Sequence, residues 1–179
     1  MITQPIAFID IETTGLDSTK HEIIELAAVI AKMKDGVFTV IDELDVKVIP
    51  QRLEDAEPQA LRINGYNDAD WLFAVSIEEA LKMLMDKAKG AVFAAHNATF
   101  DYGFIEASLR RHNVENTMHY HRLDTLSMAF AIQHSTDDIG KLSLKALCEK
   151  YGIENKRAHS AFADTYATYE VFKKMFSLK

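Results

Sequence analysis

The chain has 179 residues, enough for one domain with a sizeable core, and its composition is ordinary for a globular protein, 48% hydrophobic and 26% charged. The formal net charge of −7 argues against a protein held to nucleic acid by a generally basic surface. No apolar stretch reaches membrane-spanning length, and the N-terminal residues lack the pattern of a secretory signal. The single cysteine, Cys148, excludes an intramolecular disulfide, so we expect a reducing, cytoplasmic location and no membrane partner.

The first part of the chain predicts three strands. Apolar residues 6–12 predict a first, buried strand, and residues 23–33 and 37–49 predict two more. Asp35-Gly36 between the second and third strands is a strong hairpin signal. An irregular stretch rich in turn residues follows.

The rest of the chain predicts helices that alternate with short strands. Ser76 and Glu79 form a capping box at the start of a helix, which Gly90 ends. The remaining predicted elements are a buried strand at 91–95, a helix at 99–111, a strand at 119–123 and helices at about 124–133, 142–151 and 160–176. The order of elements predicts a single α/β domain over residues 1–179, with a mixed sheet flanked by helices.

Asp10 and Glu12 are the most informative residues of the sequence. They lie two positions apart at the end of the first predicted strand, so their side chains point to the same side of the sheet. Two like charges at the end of a buried strand repel each other, and a divalent cation between them removes the repulsion. The alternative is a pair of solvated acids at a strand end, but the polar turn Thr13-Thr14-Gly15 that follows at once favours a metal site.

A second acidic motif, His96-Asn-Ala-Thr-Phe-Asp101, directly follows the strand at 91–95. The carboxyl ends of strands are where α/β sheets place their ligand sites. Asp101 falls in the first turn of the next helix, where the helix dipole favours a negative charge. Stabilisation of the helix end is therefore the alternative interpretation of Asp101.

A third motif, His159-Ser-Ala-Phe-Ala-Asp164, opens the last predicted helix. On an ideal helix a spacing of five turns two side chains about 140° apart. His159 and Asp164 can serve one site if His159 precedes the helix. The aromatic residues of this helix recur every three or four positions and predict a buried stripe: Phe162, Tyr166, Tyr169, Phe172 and Phe176.

The three motifs together resemble those of the DnaQ-like DEDDh 3′-to-5′ exonucleases. Phe8-Ile-Asp-Ile-Glu-Thr-Thr-Gly15, the segment from His96 to Asp101, and His159 with Asp164 match the family motifs in order and spacing. The family includes the proofreading subunit of bacterial replicative polymerase, RNase T and oligoribonuclease. The resemblance covers residues 5 to 175 and implies a ribonuclease H-like fold, a five-stranded sheet of three antiparallel and then parallel strands.

The resemblance also implies a hydrolase with two Mg²⁺ or Mn²⁺ ions. One ion would be held by Asp10, Glu12 and Asp164. The other would be held by Asp10, with Asp101 assisting. The resemblance makes His159 the general base, and its ordinary pKa near 6.5 suits proton transfer at neutral pH. The expected reaction is stepwise release of 5′-mononucleotides from single-stranded or frayed DNA 3′ ends, in DNA replication or repair.

Substrate contacts are expected in two segments. The resemblance assigns contacts with the terminal nucleotide to Thr13, Thr14, Leu16, His96 and Asn97. The alternative for Thr13 and Thr14 is hydrogen bonding within the turn, and for Asn97 a helix N-cap. Asp124 is interpreted as a structural residue or a helix cap.

Two other functions remain open from the sequence. One is an RNA-directed exonuclease similar to RNase T or oligoribonuclease, because the motifs do not separate DNA from RNA and that choice depends on contacts with the 2′-hydroxyl. The other is a non-catalytic module that binds a polymerase or a nucleic-acid end, which the complete set of acids and His159 disfavours. A DNA polymerase is a candidate partner, and the sequence leaves open whether the chain is a monomer or a dimer.

Overall fold

A computed structural model of the chain describes residues 4–132, 139–155, 157 and 159–177. Five strands form one mixed sheet in the order β3-β2-β1-β4-β5. Their bounds are β1 Ile6–Thr13, β2 Ile23–Lys34, β3 Val37–Lys47, β4 Val92–Ala95 and β5 Arg122–Asp124. The first three strands pair antiparallel, and β4 and β5 continue the sheet parallel to β1. The predicted order of antiparallel and then parallel strands is confirmed.

Six α-helices surround the sheet in the described part of the chain. They are α1 Pro58–Ile63, α2 Ile77–Lys87, α3 Ala98–Arg111, α4 Thr125–Ile132, α5 Leu144–Tyr151 and α6 Ala161–Phe176. Short 3₁₀ turns occupy Leu53–Asp55 and Ile139–Leu142. None of the helices so described is both long enough and apolar enough to cross a membrane.

Two predicted strand boundaries are wrong by two or more residues, and one helix was not predicted. β5 begins at Arg122 rather than at residue 119. Its partner β4 is short, and only Phe93 to Ala95 of β4 pair with it. β3 ends at Lys47 rather than at residue 49, although the N–H of Val48 still donates to Ile24 of β2 at 2.8 Å, and Val48 also bridges to Val75. The six-residue helix α1 was expected to be irregular, since so short a helix shows no clear apolar period. Residue 133 of the helix predicted at 124–133 lies outside the described residues.

Both faces of the sheet are covered, which explains why β1 and β2 are nearly continuous apolar runs. Helices α2 and α3 pack on one face, with Leu81, Leu84 and Ile105 fully buried. The aromatic stripe of α6 packs on the other face, where Phe8 meets the rings of Tyr169 and Phe172 at centroid distances of 5.3 and 5.1 Å. The predicted burial of this stripe is confirmed for Tyr169 and Phe172, whereas Phe162, Tyr166 and Phe176 are partly buried. Cys148 is also buried.

Candidate active site

The site lies where β1 extends beyond its neighbour β4. The last residue pair between these strands is Phe8 with Ala94, so Asp10 and Glu12 project past the end of β4. The backbone of β1 needs other partners there. The N–H of Ile11 finds one in Oδ1 of Asp101, at 3.2 Å. This buried hydrogen bond brings the start of α3 to the two acids of β1.

The last helix brings the fourth acid and the histidine. Ser160 is the N-cap residue of α6, so His159 precedes the helix while Asp164 lies in its first turn. His159 has a left-handed backbone, with φ of 67°, and its N–H donates to Oδ2 of Asp164 at 3.0 Å. Asn155 donates to the other oxygen of Asp164 at 2.5 Å. Because His159 precedes α6, its side chain is not turned about 140° away from that of Asp164, as it would be on a continuous helix.

Glu12, His159 and Asp164 converge closely. Each offers one ligand atom, and these atoms lie within 4.8 Å of one another, a spacing at which they could hold a metal ion. Asp101 contacts Ile11, the residue between Asp10 and Glu12, and the charges of Asp101, Asp164 and Glu12 all act on Asp10. All five residues predicted to be catalytic are therefore brought to one place.

Burial raises the pKa values of three carboxylates of the site. Burial raises the pKa of Glu12 to about 8, and the charge of Asp164 adds to the effect. Burial also raises the pKa of Asp101 to about 7, although the hydrogen bond from Ile11 opposes the change. The pKa of Asp10 is raised well above its ordinary value by burial and then by its acidic neighbours. A cluster of this kind disfavours its own charge and is stabilised by a cation.

The turn after β1 holds its two threonines inside. Thr13 and Thr14 are 6% and 0% exposed. The hydroxyl of Thr13 donates to the carbonyl of Gly15 at 2.7 Å, and that of Thr14 accepts from the N–H of Glu22 at 2.9 Å. The structure thus favours turn hydrogen bonding for both hydroxyls, while Leu16, 75% exposed, is available to a ligand.

The segment between β4 and α3 is held by the end of β5 and the start of α4. Asn97 occupies the N-cap position of α3 in a left-handed conformation, but its side chain makes no cap hydrogen bond. The alternative interpretation of Asn97 as the helix N-cap is thus confirmed for its position, although its side chain does not cap the helix. Asp124 supplies the cap, because its Oδ1 accepts from the N–H groups of Asn97 and Ala98 at 2.9 and 3.1 Å. Nδ1 of His96 lies 3.0 Å from the hydroxyl of Thr125, so His96 also contacts the start of α4.

A cleft of about 420 Å³ beside His159 contains residues that the sequence analysis missed. Glu25 is 6% exposed and lies opposite Glu12 on β2. One oxygen of Glu25 accepts from Lys47 at 2.5 Å, and the other from the N–H of Ala161 at 3.1 Å. Asn64 donates to the carbonyl of Thr13 at 3.0 Å. A signal existed for Glu25, since it is the one acid in the apolar run of β2.

Comparison with known sequences identifies relatives. The model of the RNase T family, described as an exonuclease family, matches residues 7–172. The chain is 36% identical over 168 residues to the DNA polymerase III PolC-type of Caldanaerobacter subterraneus subsp. tengcongensis. That alignment covers 93% of this chain and 11% of the relative, so the chain spans about a tenth of the length of the curated relatives it matches.

Solved structures share the fold. Exonuclease I of E. coli, solved in complex with a dT13 oligonucleotide, aligns with a TM-score of 0.79 at 20% identity, covering 96% of this chain and 40% of that one. The nuclease domain of 3′hExo, a DEDDh family member bound to rAMP, aligns with a TM-score of 0.78 at 16% identity, covering 98% of this chain and 92% of that one. At these identities the likeness establishes the fold, an RNase H-like exonuclease fold. Because the family match covers nearly the whole chain, this chain belongs to the RNase T exonuclease family, the DnaQ-like 3′–5′ exonucleases.

Proposed function

We propose that this chain hydrolyses single-stranded or frayed DNA from the 3′ end in a metal-dependent reaction and releases 5′-mononucleotides. The observation that carries the proposal is the convergence of Glu12, Asp164 and His159 at the end of β1, with Asp10 and Asp101 beside them. DNA is the proposed substrate because the relative at 36% identity is a DNA polymerase by name. The same likeness makes a DNA polymerase a candidate partner.

The donor set fits Mg²⁺ or Mn²⁺. Carboxylate oxygens are the ligands that these hard ions prefer, and burial raises the pKa values of Glu12 and Asp101, so a cation bound beside these acids would be favourable. We propose that Asp10, Glu12 and Asp164 hold one ion, and that Asp10 and Asp101 hold a second. Such ions would activate the attacking water and stabilise the leaving oxygen.

The chain's own residues supply the rest of the mechanism. The exposed His159 side chain accepts the proton of the attacking water as general base. Its backbone N–H binds Asp164, so the base and the acid keep a fixed relation to each other. Asp101 accepts a hydrogen bond from the N–H of Ile11 and thereby ties the start of α3 to β1. Leu16 offers an apolar surface to the terminal nucleotide.

A digestion panel tests the proposal. The substrates are a 5′-labelled single-stranded DNA, the same strand with a 3′-phosphate, an RNA of the same sequence and a circular single-stranded DNA. In Mg²⁺ or Mn²⁺ we expect a ladder that shortens one nucleotide at a time on the first strand, slow or no loss on the second, and intact circles. Excess chelator should abolish the reaction.

Two variants make the panel specific. Asp10→Asn should abolish hydrolysis, whereas Asp86→Asn, on the exposed side of α2, should leave it unchanged. Faster digestion of the RNA would replace the DNA assignment by the RNA-directed one. Cutting of the circular strand at a comparable rate would show an endonuclease. A protein that binds these strands but cuts none of them would be the non-catalytic module.

A further inference from the structure

The loop between β1 and β2 is built around His21, a buried histidine that the proposed mechanism does not use. His21 is 4% exposed. Its backbone N–H donates to the carbonyl of Asp17 at 2.7 Å, and its ring Nδ1 accepts from the N–H of Asp17 at 3.0 Å. These two hydrogen bonds close the segment 17–21 on itself and fold the ring back towards the end of β1.

The ring also lies close to Glu57 at the start of α1. Because Nδ1 accepts an N–H, the neutral imidazole carries its proton on Nε2. Nε2 lies 3.6 Å from Oε1 of Glu57. The backbone N–H of Glu57 in turn donates to the carbonyl of Thr14 at 2.8 Å. The turn Thr13–Leu16 therefore has Glu57 bonded to its backbone and the His21 ring beside it.

Gly15 lies directly against the His21 ring. A Cβ atom at position 15 would be 2.5 Å from Cε1 of His21, closer than real Cβ contacts allow. The φ angle of Gly15 lies outside the left-handed region, so its backbone conformation is one that other residues can adopt. It is the ring, and not the backbone, that requires glycine here.

The turn that His21 holds is the one to which the proposed function assigns contact with the terminal nucleotide. Glu12 of the acid cluster precedes it, and Leu16 within it is 75% exposed. We propose that His21 is a positioning residue, whose ring packs on Gly15 and holds the Thr13–Leu16 turn in the conformation that binds the terminal nucleotide. This proposal rests on the proposed exonuclease function, since it assigns the turn to substrate binding.

A pair of glycine substitutions tests the contact. Gly15→Ala should raise KM for a 5′-labelled single-stranded DNA by roughly tenfold or more, with a smaller change in kcat, because the acids themselves stay in place. Gly103→Ala is the matched control, since a Cβ there meets nothing within 4 Å. It should leave KM and kcat unchanged. An unchanged KM in Gly15→Ala would overturn the proposal.

A double substitution identifies the ring as the cause. His21→Ala removes the ring atoms that a Cβ at position 15 would meet. In the His21→Ala background, Gly15→Ala should therefore raise KM little further. Additive effects of the two changes would show that Gly15 is needed for another reason, and would overturn the proposal. His21→Asn should retain most of the affinity, because its side-chain oxygen can take the place of Nδ1 and accept from Asp17. His21→Leu should lose that affinity, because leucine offers no acceptor to the N–H of Asp17.

Amide hydrogen exchange separates this proposal from the proposed function. Without substrate, residues 14–22 should exchange faster in Gly15→Ala and His21→Leu than in wild type, and at the wild-type rate in Gly103→Ala and His21→Asn. Unchanged exchange in Gly15→Ala would overturn the role of His21 whatever the activity. Faster exchange in Gly15→Ala, together with a wild-type protein that hydrolyses no strand, would instead overturn the proposed function.

Discussion

His159 combines an exposed side chain with a strained backbone. Its φ of 67° is uncommon for a residue other than glycine, and such conformations persist where the surroundings hold them. Here the hydrogen bond from its N–H to Asp164 does so. The ring is free to accept a proton, while its position relative to Glu12 and Asp164 is set by the backbone.

We expect His159→Ala to lower kcat by roughly two to four orders of magnitude, the usual contribution of a positioned general base. His121→Ala is a suitable control, since His121 is another exposed histidine and lies outside the site. The measurement is single-turnover hydrolysis of a 5′-labelled strand. Near wild-type turnover would assign His159 no part in the chemistry.

The same variant distinguishes a base from a metal ligand. If His159 acts as a base, the rise in melting temperature that Mn²⁺ produces should persist in His159→Ala. Loss of that rise would make His159 a ligand, which its proximity to Glu12 and Asp164 also permits.

At the scale of secondary structure, single carboxylates tie several elements together. Asp124 at the end of β5 accepts from Asn97 and Ala98 at the start of α3, and from the N–H groups of Leu126 and Ser127 in the first turn of α4 at 3.4 and 3.0 Å. It therefore caps two helices at once. Burial alone would raise the pKa of Asp124, but hydrogen bonds from the Ser127 hydroxyl and from the N–H groups of Ala98, Ser127 and Asn97 keep it below its ordinary value. The interpretation of Asp124 as a helix cap is confirmed.

Asp124→Ala should lower the free energy of unfolding by roughly 1–4 kcal/mol, because a single helix cap contributes about 0.5–2 kcal/mol and two are lost here. It should also reduce activity, since the start of α3 carries Asp101. Urea denaturation measures the first effect. Asp86→Ala, an exposed carboxylate on α2, is the control and should change stability little. Equal stability of the two variants would contradict the capping role.

For the whole molecule, the acid cluster lowers stability when no cation is bound. The pKa of Glu12 rises from its ordinary 4.5 to about 8 on folding. Between these values the folded protein keeps a proton that the unfolded chain releases, so the free energy of unfolding falls as the pH rises through this window. The raised pKa of Asp101, about 7, acts in the same direction.

We therefore expect the melting temperature in chelator to fall by several degrees from pH 4.5 to about 8, the window set by Glu12. Glu12→Gln should flatten this profile, and Glu115→Gln, which changes an exposed acid, should not. Mg²⁺ or Mn²⁺ should raise the melting temperature most at the upper end of the window, where the acids are ionised. A profile that rises with pH in chelator would contradict the electrostatic account.

The sequence determined the features that depend on neighbours along the chain. Apolar periods and turn residues placed all five strands and five of the six described α-helices, and the spacing of Asp10, Glu12, Asp101, His159 and Asp164 identified the family and the candidate site. These patterns are local, because a strand or helix records its buried face in residues a few positions apart.

Only the tertiary structure decided which distant residues support the site. Glu25 meets Ala161 across 136 positions, Asn64 meets Thr13 across 51, and Asp124 caps a helix that begins 26 residues before it. The packing of His21 on Gly15 is closer in sequence, but it depends on the fold of the intervening loop. A polar side chain buried far from its partner in sequence carries no periodic signal, since the partner is chosen by the packing of the sheet and helices and not by the residues beside it.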